Sequence, residues 1–457
     1  MLPLNIGGLF MDMGTGKTRC AVDLVHSRQG RLDRVIWFCP VSLKETILEE
    51  ILKHTDTPPG QICVFDDDTA IRNLPAGALW YLIGTESMSA SNRVALAANR
   101  VITPHSFVVV DESTYIKGHA AKRTRRITHM ASRARYRAIL TGTPLTQGVV
   151  DLYAQMRFLA PDILGYSSFY SFARNHLEYH PDYPGMIVNA HNTEWLAAKI
   201  APFVYQVTKE EAGLDLPAKL FDTRYFGLTD EQAEWYDRAK WEILTSVPDW
   251  ELESYTIFRL FTALQQIASG FWNRDPDGED GELIEFPHRR LDTLADVVAA
   301  LPADEKVIVW CKYRYGVHAI AARLRQEYGP DAVALYYGDL SPAERSAELA
   351  RWRAEARFLV ATQATGGHGL TLTEAAYAVF YENGFKYSER IQAEDRIHRI
   401  GQTRRPTYVD LVARCGIDKR IHQALAEKAN VVQSFRRQVQ AKKAAGREDL
   451  EKLMEAL

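Results

Sequence analysis

Only five cysteines occur in 457 residues, at Cys20, Cys39, Cys63, Cys311 and Cys415, and no two lie within four positions of each other. That spacing excludes a zinc finger or ribbon. Cys39 and Cys311 sit inside apolar runs, where buried, reduced thiols are expected, and a reducing compartment fits. No run of eighteen apolar residues appears, and no charged segment precedes an apolar stretch at the N-terminus. Neither a membrane span nor a secretion signal is therefore expected, and a cytoplasmic location is. An excess of one charge is missing too: 55 Lys and Arg stand against 58 Asp and Glu, a formal net charge of −3. No global polycation advertises nucleic acid, so any such surface must be a local face.

What is present begins with length. One hydrophobic core rarely serves so long a chain, and about three compact units, or two with an insertion, are expected. The first strong signal is MDMGTGKT at residues 11–18. It reads as a loop between a buried strand and a helix over about 18–29. Gly14 and Gly16 let the backbone turn tightly and aim its N–H groups at a polyphosphate, in a loop formed by Asp12, Met13, Gly14, Thr15 and Gly16. Lys17 is a point charge for the β- and γ-phosphates, and the Thr18 hydroxyl is a hard oxygen ligand for Mg²⁺. The following helix directs its positive end at the anion. Met11 stands where the usual pattern has a first glycine.

The first part of the chain alternates short apolar runs with helical patterns. Strands are predicted at Val35–Cys39, Leu79–Ile83, Phe107–Val110 and Ala138–Leu140, and a helix over Leu43–Lys53 with Ser42 as its N-cap. Each strand ends in polar or small residues, as in a parallel sheet whose ligand sits at the carboxyl ends of its strands. From about 150 to 270 the pattern is helical and aromatic, and NRDPDGEDGE at 273–282 reads as an exposed turn-rich linker. Beyond about 291 the alternation restarts, with strands predicted at Lys306–Cys311, Ala332–Tyr337, Phe358–Ala361, Ala378–Tyr381 and Tyr408–Val412. The expected fold is α/β, two RecA-like parallel-sheet lobes in tandem with a helical insertion between them. The expected divisions are 1–215, 216–290 and 291–457, the last ending in a charged helix.

Three further groups carry chemistry. Asp111 and Glu112 follow four apolar β-formers, about a hundred residues past the phosphate loop. One acid can hold Mg²⁺ while the next orients and deprotonates a water. In QAEDRIHR, Arg396 and Arg399 are three apart and share one face if helical, which suits a cationic insertion at a γ-phosphate. The segment 117–137 is rich in Lys and Arg without any acid, and the region after Lys386 is basic as well; such faces can neutralise backbone phosphates. TQATGGHGLTLT at 362–373 is a glycine-rich loop whose backbone could approach a phosphate closely.

Taken together, these pieces resemble the Swi/Snf family of ATP-driven double-stranded DNA translocases, within helicase superfamily two. MDMGTGKT resembles the family's phosphate loop, where a small or apolar residue often replaces the first glycine. VIWFCPVSLKETILEEI resembles its DNA-strand segment, DEST its DExx box, TGTPLTQ its coupling motif and LQQIASGF the helix leading to the second lobe. KVIVWCKY, TGGHGLTLT and QAEDRIHRIGQ resemble second-lobe motifs, and the last is the most distinctive. The resemblance implies that Asp12–Thr18 bind ATP, that Thr18 and Asp111 hold Mg²⁺, and that Glu112 is the general base. It implies that Thr141, Gly142 and Thr143 couple nucleotide to DNA, and that Gln392, Arg396 and Arg399 complete the ATP site. Ser42, Lys44, Thr85, Thr362 and Thr365 are the implied nucleic-acid contacts. Double-stranded DNA is the expected partner, forked or single-stranded DNA being alternatives, and a monomer is expected.

The sequence departs from the family in three places. Only ten residues precede Met11, so the upstream adenine-reading glutamine motif is expected to be missing. Thr114 stands where many relatives have histidine, and YENGFKYSE replaces the usual lead-in to the arginine motif. No zinc or chromatin-reading module flanks the core, which suggests a compact prokaryotic or viral form. Rival readings are a strand-separating helicase on the same core, and a nucleotide-gated DNA-binding protein with little turnover. A small-molecule kinase is a weaker third, since it leaves the arginine motif and the second α/β half unexplained.

Overall fold

The computed structural model describes residues 4–427 other than 76, 146–147, 180–186, 246–253, 275–281 and 367–368, together with 438 and 453. Thr146 and Gln147 of TGTPLTQ, Gly367 and His368 of the glycine-rich loop, most of the linker at 273–282 and most of the C-terminal stretch lie outside the described residues. The chain divides into two compact units, Met1–Asp215 and Leu216–Leu457.

In the first unit the strands are β1 (Ile6–Met11), β2 (Arg34–Cys39), β3 (Ile62–Val64), β4 (Trp80–Gly84), β5 (Ser106–Val110), β6 (Tyr136–Thr141), the pair β7 (Leu177–Tyr179) and β8 (Ile187–Ala190), and β9 (Val204–Val207). The helices are α1 (Lys17–His26), α2 (Lys44–His54), α3 (Ser87–Ala90), α4 (Asn92–Val101), α5 (Lys122–Ala131), α6 (Val150–Leu159), α7 (Phe169–His176) and α8 (Thr193–Ile200). Seven strands form one sheet in the order β3-β4-β2-β5-β6-β1-β9, and every pairing is parallel. The side-chain period of two splits each central strand between two cores. Leu9, Met11, Val35, Trp37, Phe107 and Val109 pack with α1 and α2. Phe10, Ile36, Phe38, Val108 and Val110 pack with α4, α5, α6 and α7. A strand buried on both faces must be apolar throughout, which explains runs such as RVIWFC and SFVVV.

In the second unit the strands are β10 (Leu220–Phe226), the antiparallel pair β11 (Phe271–Arg274) and β12 (Glu282–Glu285), β13 (Val307–Cys311), β14 (Val333–Tyr336), β15 (Phe358–Thr362), β16 (Tyr377–Phe380) and β17 (Thr407–Ala413). The helices are α9 (Asp230–Thr245), α10 (Ser254–Ala268), α11 (Arg290–Ala299), α12 (Arg314–Tyr328), α13 (Pro342–Ala354), α14 (Gln363–Gly366), α15 (Tyr387–Glu394) and α16 (Gly416–Ala426). Six strands form a second parallel sheet in the order β10-β17-β16-β13-β15-β14. Both sheets are the α/β architecture expected from the sequence. The restart of alternation comes earlier than the pattern suggested, because β10 at 220–226 already belongs to the second sheet. The helices α9 and α10 pack with α16 in one core of that unit.

Two local expectations are corrected. Ser42 does not cap α2: residues Val41–Leu43 form a 3₁₀ turn, Leu43 stands at the N-cap without a side-chain bond, and Ser42 is exposed. Arg396 and Arg399 are not on a helix, since α15 ends at Glu394 and the chain continues in turns.

Arg290 ties the second unit together. It is 1% exposed, and its Nη2 lies 2.5 Å from Asp418 Oδ2. Nη1 donates to the carbonyls of Tyr381 at 2.6 Å and Leu411 at 3.2 Å, so one guanidinium joins α11, α16 and the ends of β16 and β17. Removing one member of a buried pair strands the other charge, at a cost of about 3–5 kcal/mol. Arg290→Met is expected to lower the urea midpoint of this unit accordingly. Adding Asp418→Asn should recover most of the loss; if the double variant is as unstable as the single, the stranded charge is not the cause.

Candidate active site

The phosphate loop joins β1 to α1. Gly14 and Gly16 adopt φ of +82° and +90°, the left-handed region that side chains disfavour. Gly16 is the N-cap and α1 starts at Lys17, so the loop faces the positive end of the helix. Lys17 Nζ donates to the carbonyls of Met11 at 2.7 Å and Asp12 at 3.1 Å. The amine is thus aimed into the loop, where phosphate oxygens would compete for it. Thr15 Oγ1 donates to the Asp12 carbonyl at 2.7 Å. Asp12 is fixed from a segment that sequence reasoning did not implicate: its N–H donates to Val207 and its Oδ2 accepts the Lys209 N–H at 3.1 Å. Met13 is buried and Thr18 half-buried on the first turn of α1.

Asp111 follows β5 directly, and its N–H donates to the Phe38 carbonyl at 2.7 Å. It is 6% exposed, and Glu112 is 8% exposed. Asp111 Oδ1 accepts the Glu112 N–H at 2.9 Å. Burial, then the neighbouring Glu112 charge, push the Asp111 carboxyl up to about 7, opposed by Lys17. A divalent cation here would supply the missing charge. Glu112 itself has φ +46° and ψ 58°, a left-handed conformation for a residue with a Cβ. Such strain, on the order of 1–2 kcal/mol, persists where surrounding structure enforces it, typically at functional sites.

The raised Asp111 value has a consequence for stability. Its folded value of about 7 lies above its ordinary 3.8, so folding binds a proton between those limits. The stabilising contribution is complete below about 3.8 and is lost as pH rises through 7. Without Mg²⁺ and nucleotide, Asp111→Asn should therefore be more stable than the parent at pH 8, on the order of 2–4 kcal/mol, with the gap narrowing by pH 5. A gap independent of pH, measured by urea unfolding, would exclude this account.

The coupling motif sits against the phosphate loop. A Cβ at Gly142 would lie 3.3 Å from the Met11 carbonyl oxygen and 3.5 Å from Lys17 Nζ, so only glycine leaves this approach open. Thr141 is fully buried at the end of β6, and its Oγ1 accepts the Thr143 N–H at 3.1 Å. A direct link between this motif and the acidic pair comes from Gln155 on α6. Its Oε1 accepts the Ser113 hydroxyl at 2.6 Å, and its Nε2 donates to the Pro144 carbonyl at 2.9 Å. Gln155 thus joins DEST to TGTP without the histidine that Thr114 replaces. Nothing in the sequence pattern singles it out, because a lone glutamine in an aromatic helix carries no motif.

In the second unit, Arg396 and Arg399 converge although they are not helical. Arg396 Nη1 and Arg399 Nη1 both donate to the Leu370 carbonyl, at 3.1 and 3.3 Å. Arg396 Nε also donates to the Gln392 carbonyl at 2.9 Å, and Arg396 is 5% exposed. Arg399 is half-buried and Gln392 buried. Gln402 holds the loop beneath them, donating to the carbonyls of Thr373 and Ala375. Just after the unusual lead-in YENGFKYSE, Arg390 is buried against Asp410, Glu394 and Asn383 and lies 3.6 Å from the Phe380 ring centroid.

The implied nucleic-acid contacts are mixed in exposure. Ser42 is exposed, while Lys44 is half-buried and its Nζ donates to the Phe65 carbonyl at 2.6 Å. Thr85 is fully buried after β4, Thr362 is 6% exposed at the end of β15, and Thr365 is half-buried in α14. In the basic segment 117–137, Lys117 pairs with Asp151, and Arg123, Arg125, Arg126 and Arg133 donate to nearby backbone carbonyls. Among the described residues, no helix is long and apolar enough to cross a membrane.

The chain is similar to several known proteins. The chain is 26% identical over 347 residues to Protein CHROMATIN REMODELING 4 of Arabidopsis thaliana, covering 73% of this chain and 15% of that protein. It is 26% identical over 440 residues to the human DNA annealing helicase and endonuclease ZRANB3, covering 93% of this chain and 38% of that protein. The chain therefore spans well under half the length of either relative. The crystal structure of the Pyrococcus furiosus Hef helicase domain shares the fold, with a TM-score of 0.53, 14% identity, and coverage of 92% and 95% of the two chains. Residues 4–269 match the SNF2-related domain, and residues 289–401 match the helicase conserved C-terminal domain. With more than half of its length matched by the first of these, the chain belongs to the SNF2-related family.

Proposed function

We propose that this protein is an ATP-hydrolysing motor that moves along double-stranded DNA. The observation that carries the reading is the convergence of Lys17, Asp111, Glu112 and Gly142 at the carboxyl ends of β1, β5 and β6. That is where a parallel α/β sheet binds its ligand. Lys17 and the N–H groups of residues 13–18 grip the polyphosphate. The Thr18 hydroxyl and Asp111 would hold a Mg²⁺ ion. That ion, when bound, neutralises phosphate charge. Glu112 orients the attacking water and takes its proton. The family resemblance assigns to Arg396 and Arg399 the balancing of the charge that develops on the transferring phosphoryl group. Thr141 and Thr143, beside Pro144 and its Gln155 bridge to Ser113, would report the nucleotide state to bound DNA.

Duplex DNA as the track rests on family membership and on relatives named as chromatin-remodelling and DNA-annealing proteins. Phosphate release should rise most with duplex DNA and less with single-stranded DNA or RNA. Displacement of a third strand from a triplex, without separation of the duplex, is expected for a translocase. Stimulation by RNA alone would reject DNA as the track, and efficient duplex unwinding would favour a strand-separating helicase.

A further inference from the structure

A cavity rich in cationic side chains lies in the first unit, away from the phosphate loop. A cavity of about 560 Å³ opens between α5, α6 and the start of α7. Arg125, His129, Arg137 and Arg157 line it, and no Asp or Glu does among the described residues. Its volume falls in the range of small-molecule sites. Ser168, the N-cap of the eight-residue helix α7, also lines it, so the positive end of that helix faces the space.

Arg137 is the unusual member. It is the second residue of β6, two before Ile139 and so on the same side of the sheet, the face covered by α4 to α7. Its Nε is buried without a hydrogen bond, and burial pulls its guanidinium below the ordinary arginine range. The Oγ1 atoms of Thr124, which is 3% exposed, and Thr128 are likewise buried without partners. All three residues line the same cavity. Among the described lining residues no acid offsets the Arg137 charge, and an uncompensated, partly buried cation is costly in a folded protein. An anion in the cavity would offset it, and phosphate matches the arginine fork. Arg137 lies four residues before Thr141 on the same strand, roughly 13 Å from the carboxyl end where the nucleotide site lies.

We propose that this cavity binds a small phosphate-bearing ligand, a phosphomonoester held by Arg137 with Arg125 and Arg157. It is separate from the nucleotide site and does not depend on the proposed motor activity.

Inorganic phosphate and ribose 5-phosphate serve as probes on the full chain, read by thermal shift and by titration calorimetry. Both should raise the melting temperature by a few degrees in the parent and in Lys17→Ala, whose phosphate loop is disabled. Arg137→Met should weaken ribose 5-phosphate binding at least tenfold. Without ligand that variant should melt no lower than the parent, because an unpaired cation has been removed. Arg157→Met should weaken binding a few-fold. The proposal fails if neither probe binds, or if the response disappears in Lys17→Ala. It also fails if Arg137→Met and Arg157→Met both bind like the parent. Loss of duplex-DNA affinity in Arg137→Met with ribose 5-phosphate binding intact would overturn it in favour of a nucleic-acid face.

Discussion

Arg399→Ala should cut DNA-stimulated turnover by about 10³–10⁵-fold while nucleotide affinity changes only a few-fold. The size follows from the worth of an arginine that meets a phosphoryl group only in the transition state. Arg399 is the better test of the two arginines. Arg396 is 5% exposed and holds both the Gln392 and Leu370 carbonyls, so its loss would also disturb the local fold. Arg399 is half-buried and shares the Leu370 carbonyl at 3.3 Å. Leaving one carbonyl for a phosphate oxygen exchanges a neutral acceptor for a charged one, which is favourable. Arg399→Lys should rescue little, since an ammonium keeps the charge but not the two-pronged geometry. Single-turnover phosphate release separates chemistry from binding. If turnover survives in Arg399→Ala, this residue has no part in the chemistry.

Glu112→Gln should lower turnover by about 10²–10⁴-fold, the usual worth of a general base, and leave ATP binding intact. The amide keeps the size and the strained backbone of Glu112 but cannot accept the water's proton. It also removes the charge beside Asp111, one of the causes of that carboxyl's rise to about 7. Mg²⁺-nucleotide binding should therefore be as tight as in the parent or tighter, and the protein should accumulate with unhydrolysed ATP. Lys17→Ala gives the contrasting pattern, with binding itself lost, because its amine grips the phosphates in the ground state. A Glu112→Gln protein that hydrolyses ATP at the parent rate would place the base elsewhere.

The strands that hold the nucleotide site were legible for a physical reason. RVIWFC, SFVVV and VIVWC are buried on both faces, and burial on both faces forces an unbroken apolar run. The phosphate loop was legible because a tight turn at positive φ demands glycine at Gly14 and Gly16. The edge strand β10 escaped notice because it has one neighbour and is partly wet. Phe221 and Tyr225 are 59% and 55% exposed, and Asp222, Thr223 and Arg224 interrupt its pattern. The expected helix through Arg399 failed because spacing alone cannot show where a helix stops; α15 ends at Glu394, and the Leu372 N–H donates to the Arg396 carbonyl instead.

By itself, then, the sequence determined two parallel-sheet units, a glycine-built phosphate loop, an acidic pair at a strand end and a pair of arginines near the end of the second sheet. Each of these is dictated by neighbours in the chain, through burial period, backbone freedom or local charge. Tertiary structure alone decided the left-handed backbone of Glu112, the Gln155 bridge, the Lys209 hold on Asp12 and the place of Arg137 in a cavity without acids among the described residues. Those depend on which distant segments meet: residues 42 and 197 positions apart in the first two hydrogen-bonded cases. Contacts of that range leave no periodicity behind, so they become visible only when the chain has folded.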